Sequence, residues 1–261
     1  MYDLHAHILP GVDDGAQTED DTLKMARVAA DSGTKVILAT PHRKDVTQRS
    51  SVDYVRGLLD RMNGKIAELG IDLSLRQGME NHLDLDLPDE VSSGRAIGIN
   101  GSRYMLVEMP FFGRPNYIEE VMFQLQVMGV TPVLAHPERI EAFQRDVKLL
   151  ETFVERGMLS QVTAGSITGH FGKRVRRFTH TLLRTGLVHV IASDTHFATG
   201  PRSPTLLPGV EEATRVLPAE RVQAMVVETP QAILNDLPVD VPPPQGQARS
   251  RRRWQFWRQG G

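Results

Sequence analysis

The chain has 261 residues, enough for one large α/β domain, and its formal net charge of −2 implies no strong attraction to nucleic acid. It contains no cysteine, which excludes disulfides, thiolate metal sites and a cysteine nucleophile. The sequence shows neither a leader-like N-terminus nor a run of about 18 apolar residues, so we expect a cytoplasmic protein without a membrane span.

The chain begins with an alternating stretch that carries two histidines. Apolar residues alternate with His5 and His7, a period typical of a strand, on which residues i and i+2 face one side. The two imidazoles would point together about 6–7 Å apart along the strand, a spacing that suits one divalent ion. Asp13 and Asp14 follow as oxygen ligands or as hydrogen-bond acceptors for the imidazoles. Taken alone, such a short motif also arises by chance on an exposed strand end.

Downstream of this stretch, short apolar strands alternate with helical patterns. Thr18 is the predicted N-cap of a first helix, and Gly33 is its predicted stop. Further strands are predicted at residues 35–40, 73–77, 104–107, 131–135, 159–163 and 187–192. Further helices are predicted at residues 52–69, 117–128, 144–156, 174–184, 209–216, 218–227 and 229–235. About seven strand–helix units indicate an α/β fold with a parallel sheet, here a distorted or incomplete (β/α) barrel.

The pattern of strands and helices stops near residue 240, so we predict a single domain over residues 1–240. Residues 241–261 begin with the Pro-rich linker VPPPQGQ and continue as a basic-aromatic tail that holds both tryptophans, Trp254 and Trp257. We expect this tail to be disordered and neutral for function. Peripheral contact with anionic lipid, or with an acidic partner, is the alternative.

Histidine, aspartate or glutamate follows six of the predicted strands at their carboxyl ends. In a β/α barrel this edge forms the catalytic face. Imidazole combined with carboxylate favours Zn, Mn or Fe over Ca or Mg, and so many groups suit two or three ions a few Å apart. The candidate ligands are His5, His7, His42, Glu80, Glu108, His136, Asp194 and His196, together with Asp13 or Asp14.

Two arginines accompany these positions. Arg139 follows His136 by three residues, and Arg202 follows His196 by six. Because a guanidinium matches phosphate oxygens bidentately, we interpret Arg139 as a phosphate-binding residue, and we leave Arg202 open between that role and a surface position. The aromatic loop at residues 111–117 either stacks on a substrate ring or packs on the rim of the barrel.

Six stretches of the chain, between residue 3 and about residue 200, carry the motifs of one family. They are DLHAHILPGVDDGAQTEDDTLKMA, ATPHR, QGME, LVEMP, VLAHPER and IASDTH. Together they resemble the PHP (polymerase and histidinol phosphatase) superfamily, and more closely its bacterial tyrosine phosphatase branch, the CpsB/CapC/YwqE-like enzymes. The resemblance implies a PHP-type fold, three divalent ions, typically manganese, and hydrolysis of phosphotyrosine. It also implies that the substrate is the tail of a bacterial tyrosine kinase that controls capsule or exopolysaccharide export.

The resemblance assigns the ligands position by position. It places one ion on His5, His7, Glu80 and Asp194, a second on Glu80, Glu108 and His136, and a third on His42, His196 and an aspartate of the 13–14 pair, with Asp14 preferred. Two positions depart from the family pattern. Arg43 stands where the family often has a second histidine, and Pro201 separates Gly200 from Arg202, which leaves the role of Arg202 open.

Since the chain has no cysteine nucleophile, we hypothesise that a metal-bound hydroxide attacks phosphorus in line while Arg139 and Arg202 hold the equatorial oxygens. Two other functions stay open: a small-molecule phosphatase for a substrate such as histidinol phosphate, and a non-catalytic metal-binding module docked to a polysaccharide-export assembly. Zn or Fe in place of manganese, and a homo-oligomeric state, are also compatible with the sequence. A nucleic-acid partner is not expected.

Overall fold

The computed structural model describes residues 1–240, so the predicted linker and tail at 241–261 lie outside the described residues. Its strands are β1 Tyr2–Ala6, β2 Val36–Ala39, β3 Ser74–Gln77, β4 Asn81–His82, β5 Tyr104–Glu108, β6 Thr131–Ala135, β7 Leu159–Thr163 and β8 Val190–Ala192. Its helices are α1 Glu19–Asp31, α2 Arg43–Arg49, α3 Val52–Glu68, α4 Leu87–Ser92, α5 Ile118–Val127, α6 Glu141–Arg145, α7 Val147–Glu155, α8 Ala164–Thr168, α9 Lys173–Thr185, α10 Leu207–Ala213, α11 Ala219–Val226 and α12 Glu228–Leu234.

The strands form two parallel sheets in chain order. The first sheet has the order β1-β2-β3, and the second has the order β4-β5-β6-β7-β8. This confirms the predicted α/β fold with parallel strands joined by helices. The described strands make two sheets rather than one closed sheet, so the incomplete barrel stays a prediction.

The two sheets meet at both ends of their strand order. The segment after β8 runs beside β1, where His7 N–H donates to Thr195 O and Asp194 N–H donates to His5 O, each at 2.9 Å. On the other side, a parallel bridge joins His42 to Glu80, which lies between β3 and β4. These links bring the carboxyl ends of strands from both sheets to one place.

Buried side chains from both sheets share one interior, and helices cover the outside. The shared interior contains Leu4, Leu38, Leu106, Val133, Leu159 and Val190, which come from six different strands. A second cluster packs α1 and α3 onto the first sheet, and a third packs α5, α7 and α9 onto the second. Apolar burial of this kind is the main favourable term that holds strands and helices together.

Several short elements differ from the sequence expectation. Residues 144–156, predicted as one helix, belong to α6 and α7, which are separated at Asp146. The strand predicted at 187–192 is regular only over Val190–Ala192. The sequence analysis did not predict β4, α2, α4 or α8, each of which is seven residues or shorter. Within residues 1–240, no helix combines the length and the apolar character needed to cross a bilayer.

Candidate metal centre

The structure brings all nine predicted ligands into one cluster at the carboxyl ends of the strands. The donor atoms of seven of them form three overlapping groups, in each of which the atoms lie within 4.8 Å of one another. The groups reported by distance are His7, Asp14, His42 and His196; His5, His7 and Glu80; and His42, Glu80 and Glu108. His136 and Asp194 join them through the contacts described below.

Hydrogen bonds at Nδ1 fix the orientation of the imidazoles of His5 and His7. His5 Nδ1–H donates to Gln161 Oε1 at 2.9 Å, and His7 Nδ1–H donates to Asp13 Oδ2 at 2.7 Å. These acceptors leave both Nε2 atoms facing the cluster, 3.3 Å from each other. Because Nε2 of a ligand histidine binds a divalent ion in place of a proton, this pair fits a shared cation.

Glu80 lies at the middle of the cluster. Its Oε1 lies 3.2 Å from His5 Nε2 and 3.1 Å from His136 Nε2, while its Oε2 lies 2.9 Å from His42 Nδ1 and 3.4 Å from His7 Nε2. Burial raises the pKa of Glu80, but the surrounding imidazoles outweigh it and hold the pKa well below its ordinary value. A carboxylate with both oxygens engaged is suited to bridging two ions.

Asp14, His42 and His196 form one side of the cluster. Asp14 Oδ1 lies 3.4 Å from His42 Nε2 and 3.2 Å from His196 Nε2. These two contacts hold the pKa of Asp14 below its ordinary value. Burial lowers the pKa of His42, but Asp14 and Glu80 outweigh it and raise the pKa to about 11. Asp14, and not Asp13, therefore faces the two imidazoles.

Charge at several of the donor atoms favours cations. Burial lowers the pKa of His7, but the carboxylates of Asp13 and Glu80 outweigh it and raise the pKa to about 10. Burial raises the pKa of Asp194, but His5 and further positive groups keep it below its ordinary value. A site that stabilises positive charge at imidazole and carboxylate atoms suits divalent ions of the Zn, Mn or Fe class.

Two predicted ligands have left-handed backbone conformations. His136, directly after β6, has φ of 33° and ψ of 54°, and Asp194, two residues after β8, has φ of 52°. His136 Nε2 lies 3.5 Å from Glu108 Oε1, at the end of β5. Non-glycine residues rarely adopt positive φ, and such strain concentrates at functional sites.

Both predicted phosphate-binding arginines converge on one carboxylate. Arg139 Nη1 donates to Asp194 Oδ2 at 2.7 Å, and Arg202 Nη2 donates to Asp194 Oδ1 at 2.8 Å. Pro201 therefore does not keep Arg202 from the cluster. The cavity in front of them, about 120 Å³, is lined by both arginines and by predicted ligands. Guanidinium groups in this position can hold an oxyanion in the cavity.

The structure also shows where Arg43 and the aromatic loop at residues 111–117 lie relative to the cluster. Arg43, at the departure from the family pattern, turns away and donates to Asp84 Oδ2 at 2.6 Å. The ring of Phe111 stacks on His136 with 5.3 Å between centroids and lines the cavity, whereas Phe112 is 84% exposed. Gln161 was not among the predicted residues, although an amide inside the buried strand β7 is a signal that could have identified it.

The chain was compared with known families and structures. The family model for capsular polysaccharide synthesis, CpsB/CapC, matches residues 1–235. The chain is 34% identical to the tyrosine-protein phosphatase YwqE of Bacillus subtilis over 248 residues, which cover 94% of this chain and 96% of YwqE. It is 24% identical to the tyrosine-protein phosphatase CpsB of Streptococcus pneumoniae over 241 residues, 90% of this chain and 99% of CpsB.

The fold is also similar to a solved structure. The match is to a chain from the crystal structures of YwqE from Bacillus subtilis and CpsB from Streptococcus pneumoniae, which are described as unique metal-dependent tyrosine phosphatases. The TM-score is 0.89 at 32% sequence identity, and the match covers 95% of this chain and 100% of that chain. Sequence and fold therefore agree over nearly the whole length of both proteins.

Proposed function

The chain belongs to the CpsB/CapC family of capsular polysaccharide synthesis, and from this membership we propose that it is a metal-dependent protein-tyrosine phosphatase. One observation carries the proposal. Three histidines, four carboxylates and two arginines line one cavity, and two further histidines, His5 and His7, contact Glu80, in a chain that has no cysteine to act as a nucleophile. The named activities of YwqE and CpsB support the same reaction.

The chain's own donors would hold three divalent ions, and we propose manganese as the metal. The ligand sets are those that the family resemblance implies: His5, His7, Glu80 and Asp194; Glu80, Glu108 and His136; and Asp14, His42 and His196. When bound, divalent ions supply the Lewis-acid charge and the acidified water that hydrolysis of a phosphate ester needs. Gln161 and Asp13 orient the imidazoles of His5 and His7 toward them.

The two arginines would bind and orient the phosphate group. Arg139 and Arg202 line the cavity and already hold the two oxygens of Asp194. A phosphate group offers them the same arrangement of oxygens with more negative charge. In the reaction, water adds to phosphorus, the bond from phosphorus to the tyrosine oxygen breaks, and inorganic phosphate and tyrosine are released. The arginines stabilise the charge that spreads over the equatorial oxygens during this step.

Three finer points belong to the same proposal. The substrate would be a tyrosine-phosphorylated protein, and by family resemblance the tail of a kinase that controls capsule or exopolysaccharide export. The shared interior of the two sheets supports the predicted incomplete barrel. Phenolate, with an ordinary pKa near 10, is a tolerable leaving group, which suits an aryl phosphate.

The proposal is tested by hydrolysis assays on protein stripped with a chelator and then supplied with manganese. A phosphotyrosine peptide and histidinol phosphate serve as parallel substrates. We expect metal-restored release from the peptide, and a loss of at least about a hundredfold in Glu80→Gln but not in Glu68→Gln, the same change at an exposed glutamate of α3 outside the cluster. Faster hydrolysis of histidinol phosphate would contradict the proposed substrate. Manganese binding without phosphate release from either substrate would indicate a non-catalytic module.

A further inference from the structure

The guanidinium group of Arg139 lies against two phenylalanine rings. Its Cζ is 4.9 Å from the ring centroid of Phe111 and 4.4 Å from that of Phe171. The guanidinium therefore lies over the ring of Phe111 and over the ring of Phe171. Arginine stacks on aromatic faces in this way through its planar, delocalised charge.

Phe171 comes from a part of the chain remote from the other two residues. It lies in the connection between α8 and α9, between Gly169 and Gly172, which both have positive φ, at 94° and 93°. Phe111 also packs against the large hydrophobic cluster of the second sheet, but Phe171 belongs to none of the three clusters of the described chain. Phe171 is half-buried, and its ring contacts the ring of His170 edge-on as well as the guanidinium of Arg139, so the hydrophobic core does not account for its position.

Contacts with two rings restrict the movement of the Arg139 side chain. Its guanidinium lies over both rings, while its Nη1 donates to Asp194 beside the cavity that Arg139 lines. In the described residues, the guanidinium of Arg202 stacks on no aromatic ring. The two arginines therefore differ, because aromatic rings restrain the guanidinium plane of Arg139 alone of the two.

From this geometry we propose that Phe171 is a positioning residue for phosphate binding. Its ring holds the guanidinium plane of Arg139 so that the N–H edge faces the phosphate site, and it lowers the cost of ordering a long side chain on binding. The ring also removes water from one face of the cation, which strengthens the interaction of the cation with an oxyanion. This inference rests on the proposed function, because it takes the cavity as the phosphate site.

The test measures binding of inorganic phosphate to the full-length, manganese-loaded protein by isothermal titration calorimetry. We expect Phe171→Leu, which keeps an apolar side chain but removes the ring, to weaken phosphate binding about tenfold. Phe171→Tyr keeps the aromatic face and should restore the affinity. Phe123→Leu, at a 62% exposed phenylalanine on α5, is the matched control and should bind phosphate like the wild type. Manganese content, measured by mass spectrometry, should be equal in all four proteins.

A double variant distinguishes a positioning role of Phe171 from a general effect of the substitution on the structure. If Phe171 acts through Arg139, then Phe171→Leu should cause no further loss of phosphate affinity in an Arg139→Ala protein. Unchanged phosphate affinity in Phe171→Leu, an additive loss in the double variant, or a parallel loss of manganese would each overturn the inference.

The outcomes also distinguish the inference from the proposed function. If the wild type hydrolyses phosphotyrosine and Phe171→Leu binds phosphate normally, the positioning role of Phe171 is wrong but the proposed function stands. If Phe171→Leu binds phosphate more weakly and the wild type does not hydrolyse phosphotyrosine, the proposed function is wrong but the positioning role stands.

Discussion

At the scale of single residues, the amide of Gln161 decides which nitrogen of His5 faces the cluster. Its Oε1 accepts from His5 Nδ1–H inside the buried strand β7. Groups that orient a ligand histidine in this way commonly contribute 10–100-fold to metal affinity or activity, as a rough guide. We expect Gln161→Leu to weaken manganese binding by about that factor, as measured by metal titration of the stripped protein.

The matched variant for this prediction is Gln161→Glu, which keeps an oxygen acceptor at the same place. Its manganese affinity should stay nearer to that of the wild type than the affinity of the Leu variant does. Equal affinity in Gln161→Leu and the wild type would show that His5 needs no support from β7.

His189 gives a prediction for the dependence of stability on pH. It is buried directly before β8, where Ser160 N–H donates to its Nδ1 at 3.0 Å, and burial lowers its pKa to about 4. The folded-state pKa lies below the unfolded value of 6.5, so the unfolded chain takes up the proton first as pH falls. The stability contributed by the neutral ring is therefore complete above pH 6.5 and is lost as the pH falls toward 4.

The measurement is urea unfolding at pH 7 and pH 5 for the wild type and for His189→Asn, which retains an acceptor near the position of Nδ1. Between these pH values the wild type should lose about 2 kcal/mol more of its unfolding free energy than the variant. The same pH-dependent loss in both proteins would mean that His189 is not responsible.

At the scale of secondary-structure elements, prediction succeeded where a pattern repeats over several residues. The predicted strands at 131–135 and 159–163 coincide with β6 and β7. Prediction failed where a single residue sets the end of a helix. Asp146 has a non-helical backbone, and its carboxylate accepts from Lys148 N–H, so α6 ends and α7 begins at this residue. The two-residue strand β4 is too short to show any period.

The start of α1 gives a prediction at this scale. Thr18 Oγ1 accepts from Asp21 N–H at 3.1 Å, and Asp21 Oδ2 accepts from Thr18 N–H at 3.0 Å, which is a capping box. Thr18→Ala leaves a helix N–H without its acceptor and should lower the unfolding free energy by about 1 kcal/mol in urea denaturation. Thr18→Ser keeps the hydroxyl and should be close to the wild type. Equal stability of the Ala and Ser variants would contradict this account.

At the scale of the whole molecule, the limit of sequence prediction is pairing across long chain separations. The ligand candidates could be proposed from the sequence because each lies in a local motif near the carboxyl end of a strand, as His5 and His7 do near the end of β1. Gln161 is 156 residues from the histidine that it orients, and Phe171 lies on a loop unrelated to the motif of Arg139. No local period encodes such contacts, because the fold alone brings these residues together.

The position of the cluster predicts how metal affects the stability of the whole molecule. Predicted ligands follow strands of both sheets: His5, His7 and His42 come from the first, and Glu108, His136, Asp194 and His196 from the second. Ions bound there would join the two sheets and would bind the folded state alone, because the unfolded chain does not assemble these groups.

Removal of metal should therefore lower the melting temperature, and manganese should restore it. At a free manganese concentration a hundred times the dissociation constant, linkage contributes about 2.7 kcal/mol, which corresponds to roughly 5–10 °C for a domain of this size. Differential scanning calorimetry of stripped and reloaded protein measures the shift. Glu80→Gln, which alters the carboxylate shared by four histidines, should show a smaller shift than Thr18→Ser. An identical melting temperature with and without manganese would mean that the cluster does not bind the ion in the folded state, and the metal-dependent reaction would lose its basis.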